Sequence, residues 1–431
     1  MYKSSLVAVL LTASVLPTPQ ARAQTLTVLY SFSGGEDGAN PFAGLIMDRD
    51  GNLYGTTTGG GSSRAGTVFK VDRSGNETVL HSFAGPDGAV PLAGLVMDRD
   101  GNLYGTTAFG GSSFIDNVID SGNGTVFKVD TQGNETVLHR FMNVPDGVEP
   151  SAGLIMDRDG NLYGTTTGGG ASGGGTVFEV DRSGNETVLH SFAGPDGADP
   201  FGSLLMDRDG NLYGTTAGGG SSTWGTVFKL DTSGKETVLH NFTNTPDGAA
   251  PRAGLVRGKE GNLYGTTIVG GSSGYGTVFT VDRFGDETVL HSFSGVDGAV
   301  PFADLIIDRH GNLYGTTTFG GSMFVANVFN GFGTVFKVDT RGRDRKETAP
   351  QWLPIGREMV VHSFSGAEGG SPEAGLITDR EGNLYGTTAF FGTFDFGTVF
   401  KLDCKHHPGE DNGEAAELGF GIGCPAHSFG D

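Results

Sequence analysis

Short apolar runs separated by glycine-bearing turns fill most of the chain, and one stretch, residues 43–83, shows the pattern in a single copy. Ala43 to Asp48 is a first run, and Arg49-Asp50-Gly51 interrupts it before a second, Asn52 to Thr57. Asp-Gly between two apolar runs predicts a tight hairpin. A glycine-rich stretch, Gly59 to Ala65, leads to a third run, Thr67 to Asp72, and Ser74-Gly75-Asn76 turns the chain into a fourth, Glu77 to Phe83. The pattern predicts four short antiparallel strands joined tight, loose and tight. Several runs, such as Gly44 to Met47 and Val68-Phe69, are apolar on both faces, which suits sheets buried between two neighbours. No stretch keeps a helical period long enough to predict a helix.

The pattern recurs. The heptapeptide G-N-L-Y-G-T-T starts at Gly51, Gly101, Gly160, Gly210, Gly261, Gly311 and Gly382, and G-T-V-F follows each copy, starting at Gly66, Gly124, Gly175, Gly225, Gly276, Gly333 and Gly397. A third element of the form V-L-H-S-F ends at Phe32, Phe83, Phe141, Phe192, Phe242, Phe293 and Phe364. Four-stranded units in this number predict a β-propeller, with an open solenoid as the competitor. The chain ends decide between them. A solenoid needs atypical polar caps. Here Leu26 to Phe32 is a faithful fourth strand standing alone, and the last unit, Ala374 to Asp403, lacks its fourth. Pairing the two completes a seventh blade and leaves no edge open. The fold expected is all-β, a seven-bladed propeller of four-stranded antiparallel blades over residues 24–403.

Composition sharpens this picture. Glycine supplies 76 of 431 residues, without the strict triplet spacing of collagen. It punctuates the strands. Residues 1–23 have the form of a secretory signal, with Lys3 in a basic start, an apolar stretch from Leu6 to Leu16, and Ala21-Arg22-Ala23 at the cleavage position. The stretch is too short to span a bilayer. A formal net charge of −21, more negative still without Lys3 and Arg22, repels nucleic acid and anionic membranes. A secreted, extracellular or periplasmic protein is expected, without membrane insertion and monomeric. Cys404 and Cys424 both fall in the tail, residues 404–431, and in an oxidising compartment are expected to pair with each other. His406, His407 and His427 beside Cys404 fit no zinc spacing.

The unit P-x-A-G-L-I-M-D-R-D-G-N-L-Y-G-T-T, followed by G-T-V-F-K-V-D-x-x-G-x-E-T-V-L-H-S-F, resembles the bacterial tandem repeat called GloVer across nearly all of residues 25–403. More loosely, its first two strands resemble NHL-type and streptogramin-lyase-like propellers, whose inner strand runs into a D-x-D-G-N turn. The resemblance implies an extracytoplasmic propeller with its inner strand first, and no established activity. No sorting anchor of the kind such proteins carry is recognisable at the C-terminus.

In a ring of equal blades, structural residues recur, whereas a site needs different groups in different places. His81, His139, His190, His240, His291 and His362, with Tyr30 in the seventh place, recur on the outermost strands and are expected to hydrogen-bond within or between blades. The D-R-D-G-N turns resemble the start of a calcium loop, but position twelve counted from Asp48 is Gly59, so a plain turn is expected. A linker ring of acids, Asp37, Asp87, Asp146, Asp196, Asp247, Asp297 and Glu368, fits turns before glycine. These linkers feed the innermost strands, so the carboxylates are also metal candidates that could crowd one channel mouth and hold a divalent cation such as calcium. The loose connections share one face, the candidate functional face. Two of them are long, and Phe114 and Phe324 in these loops are candidate contacts. The residue after the linker proline varies, giving Phe42, Phe201 and Phe302 as an apolar floor and Arg252 and Glu373 as polar groups; Glu149 and Asp199 precede it. Glu149, Asp199, Arg252 and Glu373 are the candidates for acid and base chemistry. A loop at 341–357 carries the one basic cluster, Arg343-Asp344-Arg345-Lys346.

Two functions follow. The favoured reading is a module that binds an extracellular glycan or protein through the loose-loop face. The alternative is an extracellular polysaccharide lyase or glycoside hydrolase using acids near the channel mouth. No blade carries a nucleophile motif or an obvious acid-base pair, and no cofactor is expected.

Overall fold

A computed structural model describes residues 25–112, 114–115, 118, 121–325, 330–340 and 357–403. The expected signal segment, the tail with Cys404 and Cys424, and the basic cluster at 343–346 lie outside these residues. The described chain forms seven four-stranded antiparallel sheets. Blade one contains Ile46–Met47, Leu53–Thr57, Thr67–Val71 and Glu77–Ser82 in that order from inside to outside. Blades two to six repeat it. Blade seven has Ile377–Thr378, Leu384–Thr388 and Thr398–Asp403, and its outermost strand is Thr25–Ser31, paired from Thr25 with Asp403 to Ser31 with Thr398. The ring is closed by the start of the chain.

The innermost strand is shorter than its apolar run predicts. Only two residues pair in each blade, because the preceding Ala43-Gly44-Leu45 packs around the axis instead of running along the neighbouring strand. Its carbonyls are used elsewhere. Thr56 Oγ1 donates to Ala93 O of the next blade at 3.1 Å, and Thr387 Oγ1 donates to Ala43 O at 3.1 Å, so the blade-to-blade bond is repeated where blade seven meets blade one.

Between blades the core is aromatic. Phe83, which directly follows the outermost strand of blade one, meets Phe127 of blade two edge-to-face at 5.0 Å, and Phe32 meets Phe69 at 5.0 Å in the same way. All four rings are fully buried. Such a pair adds about 1 kcal/mol to the burial of its rings. Gly55 in the second strand makes this core possible: a Cβ there would stand 2.7 Å from Phe69 Cζ. Glycine in a strand therefore marks a close approach, as it does at Gly105 and Gly164 against Phe127 and Phe178.

The residues before the linker prolines share one unusual backbone. Asn40, Val90, Glu149, Asp199, Ala250, Val300 and Ser371 all have φ between 51° and 57°. Strain repeated in every blade belongs to the architecture, and here it turns each linker into its inner strand.

Candidate functional site

The histidine and aspartate rings form one set of pairs. His81 Nε2 meets Asp87 Oδ2 at 3.0 Å, and His139, His190, His240 and His291 meet Asp146, Asp196, Asp247 and Asp297 in the same way. In blade six His362 pairs with Glu368 at 3.2 Å, and in blade seven the Tyr30 hydroxyl donates to Asp37 at 2.9 Å. The linker acids therefore fold back onto the outermost strands. They do not crowd the channel mouth, because each is held there by its histidine and by backbone N–H groups such as that of Ala84 on Asp87.

A third group joins these pairs from the next blade. Glu77, Glu135, Glu186, Glu236, Glu287 and Glu358 stand at or next to the start of the outermost strands, and each has a buried Oε1 that accepts no hydrogen bond from the protein. Burial, and then the charge of the neighbouring aspartate, push Glu77, Glu186, Glu236 and Glu287 up to about 7 and Glu358 to about 8. In three interfaces the ligating atoms of histidine, aspartate and glutamate all lie within 4.8 Å of one another: His81 with Asp87 and Glu135, His139 with Asp146 and Glu186, and His291 with Asp297 and Glu358. Where blade seven meets blade six, Leu26 takes the position of the glutamate.

The mouth of the channel is where symmetry breaks. The Arg252 guanidinium stacks between two rings, with its carbon 4.4 Å from the Phe201 centroid and 5.5 Å from that of Phe302. Burial lowers the pKa of Arg252, against the opposing charges of Asp199 and Glu373. Glu373 is pushed up to about 7 by burial, with Arg252 opposing. Deeper, Asp304 stands where other blades have glycine or serine. It accepts from Gly254 N at 2.5 Å, and burial raises its pKa although part of its surface stays open.

The four acid-base candidates are not assembled. Glu149 and Asp199 are exposed, and among the described residues no hydrogen bond or ion pair joins any two of Glu149, Asp199, Arg252 and Glu373. The apolar floor is partly formed: Phe201 and Phe302 hold Arg252, and Phe42 meets Phe390 edge-to-face at 5.6 Å. Phe114 covers Gly85, and Phe324 covers Gly295 and meets Tyr275 at 5.3 Å, so both pack on the protein.

Sequence reasoning missed the loop of blade seven. Phe390, Phe391, Phe394 and Phe396 are all exposed, by 39 to 52 %. Phe319, Ser371, Glu373, Phe390, Phe391 and Asp395 line a cleft of about 520 Å³ beside the channel mouth. Phe391 holds the left-handed position, φ 64°, that glycine fills in every other blade, from Gly60 at 72° to Gly320 at 92°. A bulky side chain there is an outlier. Its partner has changed as well: Gly370 replaces the Ala39 of blade one, and a Cβ at Gly370 would stand 2.8 Å from Phe391 Cδ2. Aligning T-T-A-F-F-G at Thr387 with T-T-T-G-G-G at Thr56 would have exposed the exchange.

A larger cleft, about 740 Å³, opens on the hairpin face between blades seven and one, walled by Arg49, Arg73, Asp379 and Arg380. Its walls are residues of the repeat.

The sequence pattern of the Gloeobacter/Verrucomicrobia repeat matches residues 18–156, 115–245, 158–349 and 247–410, which together span most of the chain. The chain belongs to this repeat family. No curated protein matches the sequence. Among solved structures, this member of the Gloeobacter/Verrucomicrobia repeat family is similar to the extracellular domain of a protein described as a hybrid two-component system of B. thetaiotaomicron. The identity is 13 %, covering 88 % of this chain and 41 % of that one, with a TM-score of 0.54. A second such extracellular domain from the same organism gives 10 % identity, 89 % and 40 % coverage, and a TM-score of 0.52. The chain thus spans about two fifths of each of these two chains, and likeness at this identity shows the propeller fold. No helix among the described residues is long and apolar enough to cross a membrane.

Proposed function

We propose that this chain is an extracytoplasmic binding module that takes a neutral saccharide in the aromatic cleft of blade seven. The observation that carries the reading is Phe391, held in a backbone conformation that six blades give to glycine, with Gly370 clearing space for its ring. Strain found in one blade out of seven points to use, where strain found in all points to architecture. The chemistry suits a sugar. Exposed rings of Phe390 and Phe391 offer faces for the C–H side of a pyranose, and Glu373 and Asp395 offer acceptors for its hydroxyls. The acidic cleft and the net charge of −21 disfavour polyanionic glycans. The exported location rests on the signal-like residues 1–23 and on the extracellular character of the structural neighbours.

The test is a glycan array with neutral, amino-sugar and uronate oligosaccharides, followed by a product assay on every hit. Binding of a neutral oligosaccharide without turnover is expected, with an about tenfold or greater loss on Phe391→Gly, because losing one ring contact costs about 1.4 kcal/mol. Turnover of the bound glycan contradicts the binding-module reading. Binding unaffected by Phe391→Gly contradicts the site.

A further inference from the structure

We propose that three of the blade interfaces each hold a divalent transition-metal ion of the zinc class, ligated by a histidine and an aspartate of one blade and a glutamate of the next. The interfaces are those between blades one and two, two and three, and five and six. In the first, His81 Nε2, Asp87 and Glu135 offer one nitrogen and two carboxylate ligands within 4.8 Å of one another. One ion with bonds near 2.0–2.2 Å holds its ligands at most about 4.4 Å apart, so binding draws these side chains slightly together. The second observation is independent of that spacing: Glu135 Oε1 is buried and takes no hydrogen bond from the protein, as are its counterparts Glu186 and Glu358. A buried carboxylate oxygen without a donor is costly, and a cation supplies what the protein does not.

The ligand set selects the ion. One imidazole with two carboxylates suits zinc and its neighbours, whereas calcium calls for six to eight oxygens. Two carboxylates balance the charge of a dication, and water completes the tetrahedron. The route is open, since His81 and Asp87 keep 17 and 23 % of their side-chain surface exposed. Ligation requires Nε2 without its proton, so the imidazole takes the Nδ1–H tautomer and exchanges its Asp87 contact for the ion. The two end interfaces lack the set: Tyr30 replaces the histidine beside Asp37 and Glu77, and Leu26 replaces the glutamate beside His362 and Glu368. His190 with Asp196 and Glu236, and His240 with Asp247 and Glu287, repeat the residue types, but their ligating atoms do not all come within 4.8 Å of one another. A bound ion would bridge adjacent blades and stiffen the ring.

The experiment titrates zinc chloride alone into the full-length chain after EDTA treatment and measures bound zinc by elemental analysis. It compares the unaltered protein with the triple variant Glu135→Gln, Glu186→Gln, Glu358→Gln and with Glu77→Gln. Cys404 and the tail histidines are common to all three, so their zinc cancels in the differences. The expected result is three fewer zinc ions per chain in the triple variant, none fewer in Glu77→Gln, and a zinc-dependent rise in thermal midpoint only where the three clusters are intact. Equal zinc in the triple variant and the unaltered protein overturns the proposal. Should the triple variant fail to fold, anomalous diffraction at the zinc edge from crystals of the unaltered protein decides. Peaks at the three interfaces support the sites, and no peak at any of them overturns the proposal.

Discussion

At the scale of single residues, the blade interface is a place where charge has been buried with incomplete pairing. Glu77 shows the consequence most simply, because Tyr30 stands beside it in place of a histidine. Burial and Asp37 push Glu77 from 4.5 to about 7. An acid whose folded pKa is raised contributes stability that is fully present below the unfolded value and is lost as pH rises through the folded one. The window is therefore about pH 4.5 to 7. Glu77→Gln cannot ionise, so it should match the unaltered protein near pH 4 and exceed it by about 1 kcal/mol near pH 8 in urea unfolding, a value already reduced for solvent screening. Equal pH profiles for the two proteins would count against the burial of this charge. The histidines and linker acids were recognisable as repeating residues in the sequence, and the histidines were correctly placed on the outer strands. Their mutual pairing was not legible, since sequence order places Asp87 next to the inner strand while its side chain turns back to His81. Phe391 escaped notice because four phenylalanines in a loop read as ordinary until the backbone shows where glycine should be.

At the scale of the element, the first hairpin of six blades owes its geometry to one aspartate, Asp48 in blade one. Asp48 Oδ1 accepts from the N–H groups of Asp50 and Asn52, and Oδ2 from Asn52 Nδ2 and the Tyr54 hydroxyl. Blade five has Gly258 at this position. Tyr264 there lies over the glycine, with its Cε2 2.8 Å from where a Cβ would be. Gly258→Asp should restore the acceptor once the Tyr264 ring moves to the position it takes in the other blades. A gain of about 1 kcal/mol is expected, read as a higher midpoint in thermal unfolding. A lower midpoint would mean that blade five cannot adopt the common hairpin. Three of the four strands were legible to within a residue or so, because alternating runs bounded by Asp-Gly and Ser-Gly leave little choice. The innermost strand was overestimated, because an apolar run such as Ala43 to Met47 looks the same whether it pairs or packs around an axis.

At the scale of the whole molecule, closure joins the two ends of the described chain. Removing residues 25–32 would strip the outermost strand from Thr398–Asp403 and take Phe32 from Phe69. The exposed edge and ring should drive association, visible as high-mass species in size exclusion with light scattering. A truncated chain that stays monomeric with an unchanged midpoint would contradict closure by this strand. The staggered ends made the ring legible in the sequence, whereas the function of its loose-loop face was not. Six blades keep the architecture and one departs from it, so the central claim is that binding resides in blade seven. The most direct measurement is calorimetric titration of the strongest neutral oligosaccharide from the array into the unaltered protein, Phe391→Gly and Trp224→Ala. Trp224 is equally exposed on the corresponding loop of blade four. The account predicts an about tenfold or greater loss of affinity for Phe391→Gly and unchanged affinity for Trp224→Ala. Unchanged affinity for Phe391→Gly, with loss for Trp224→Ala, would contradict it.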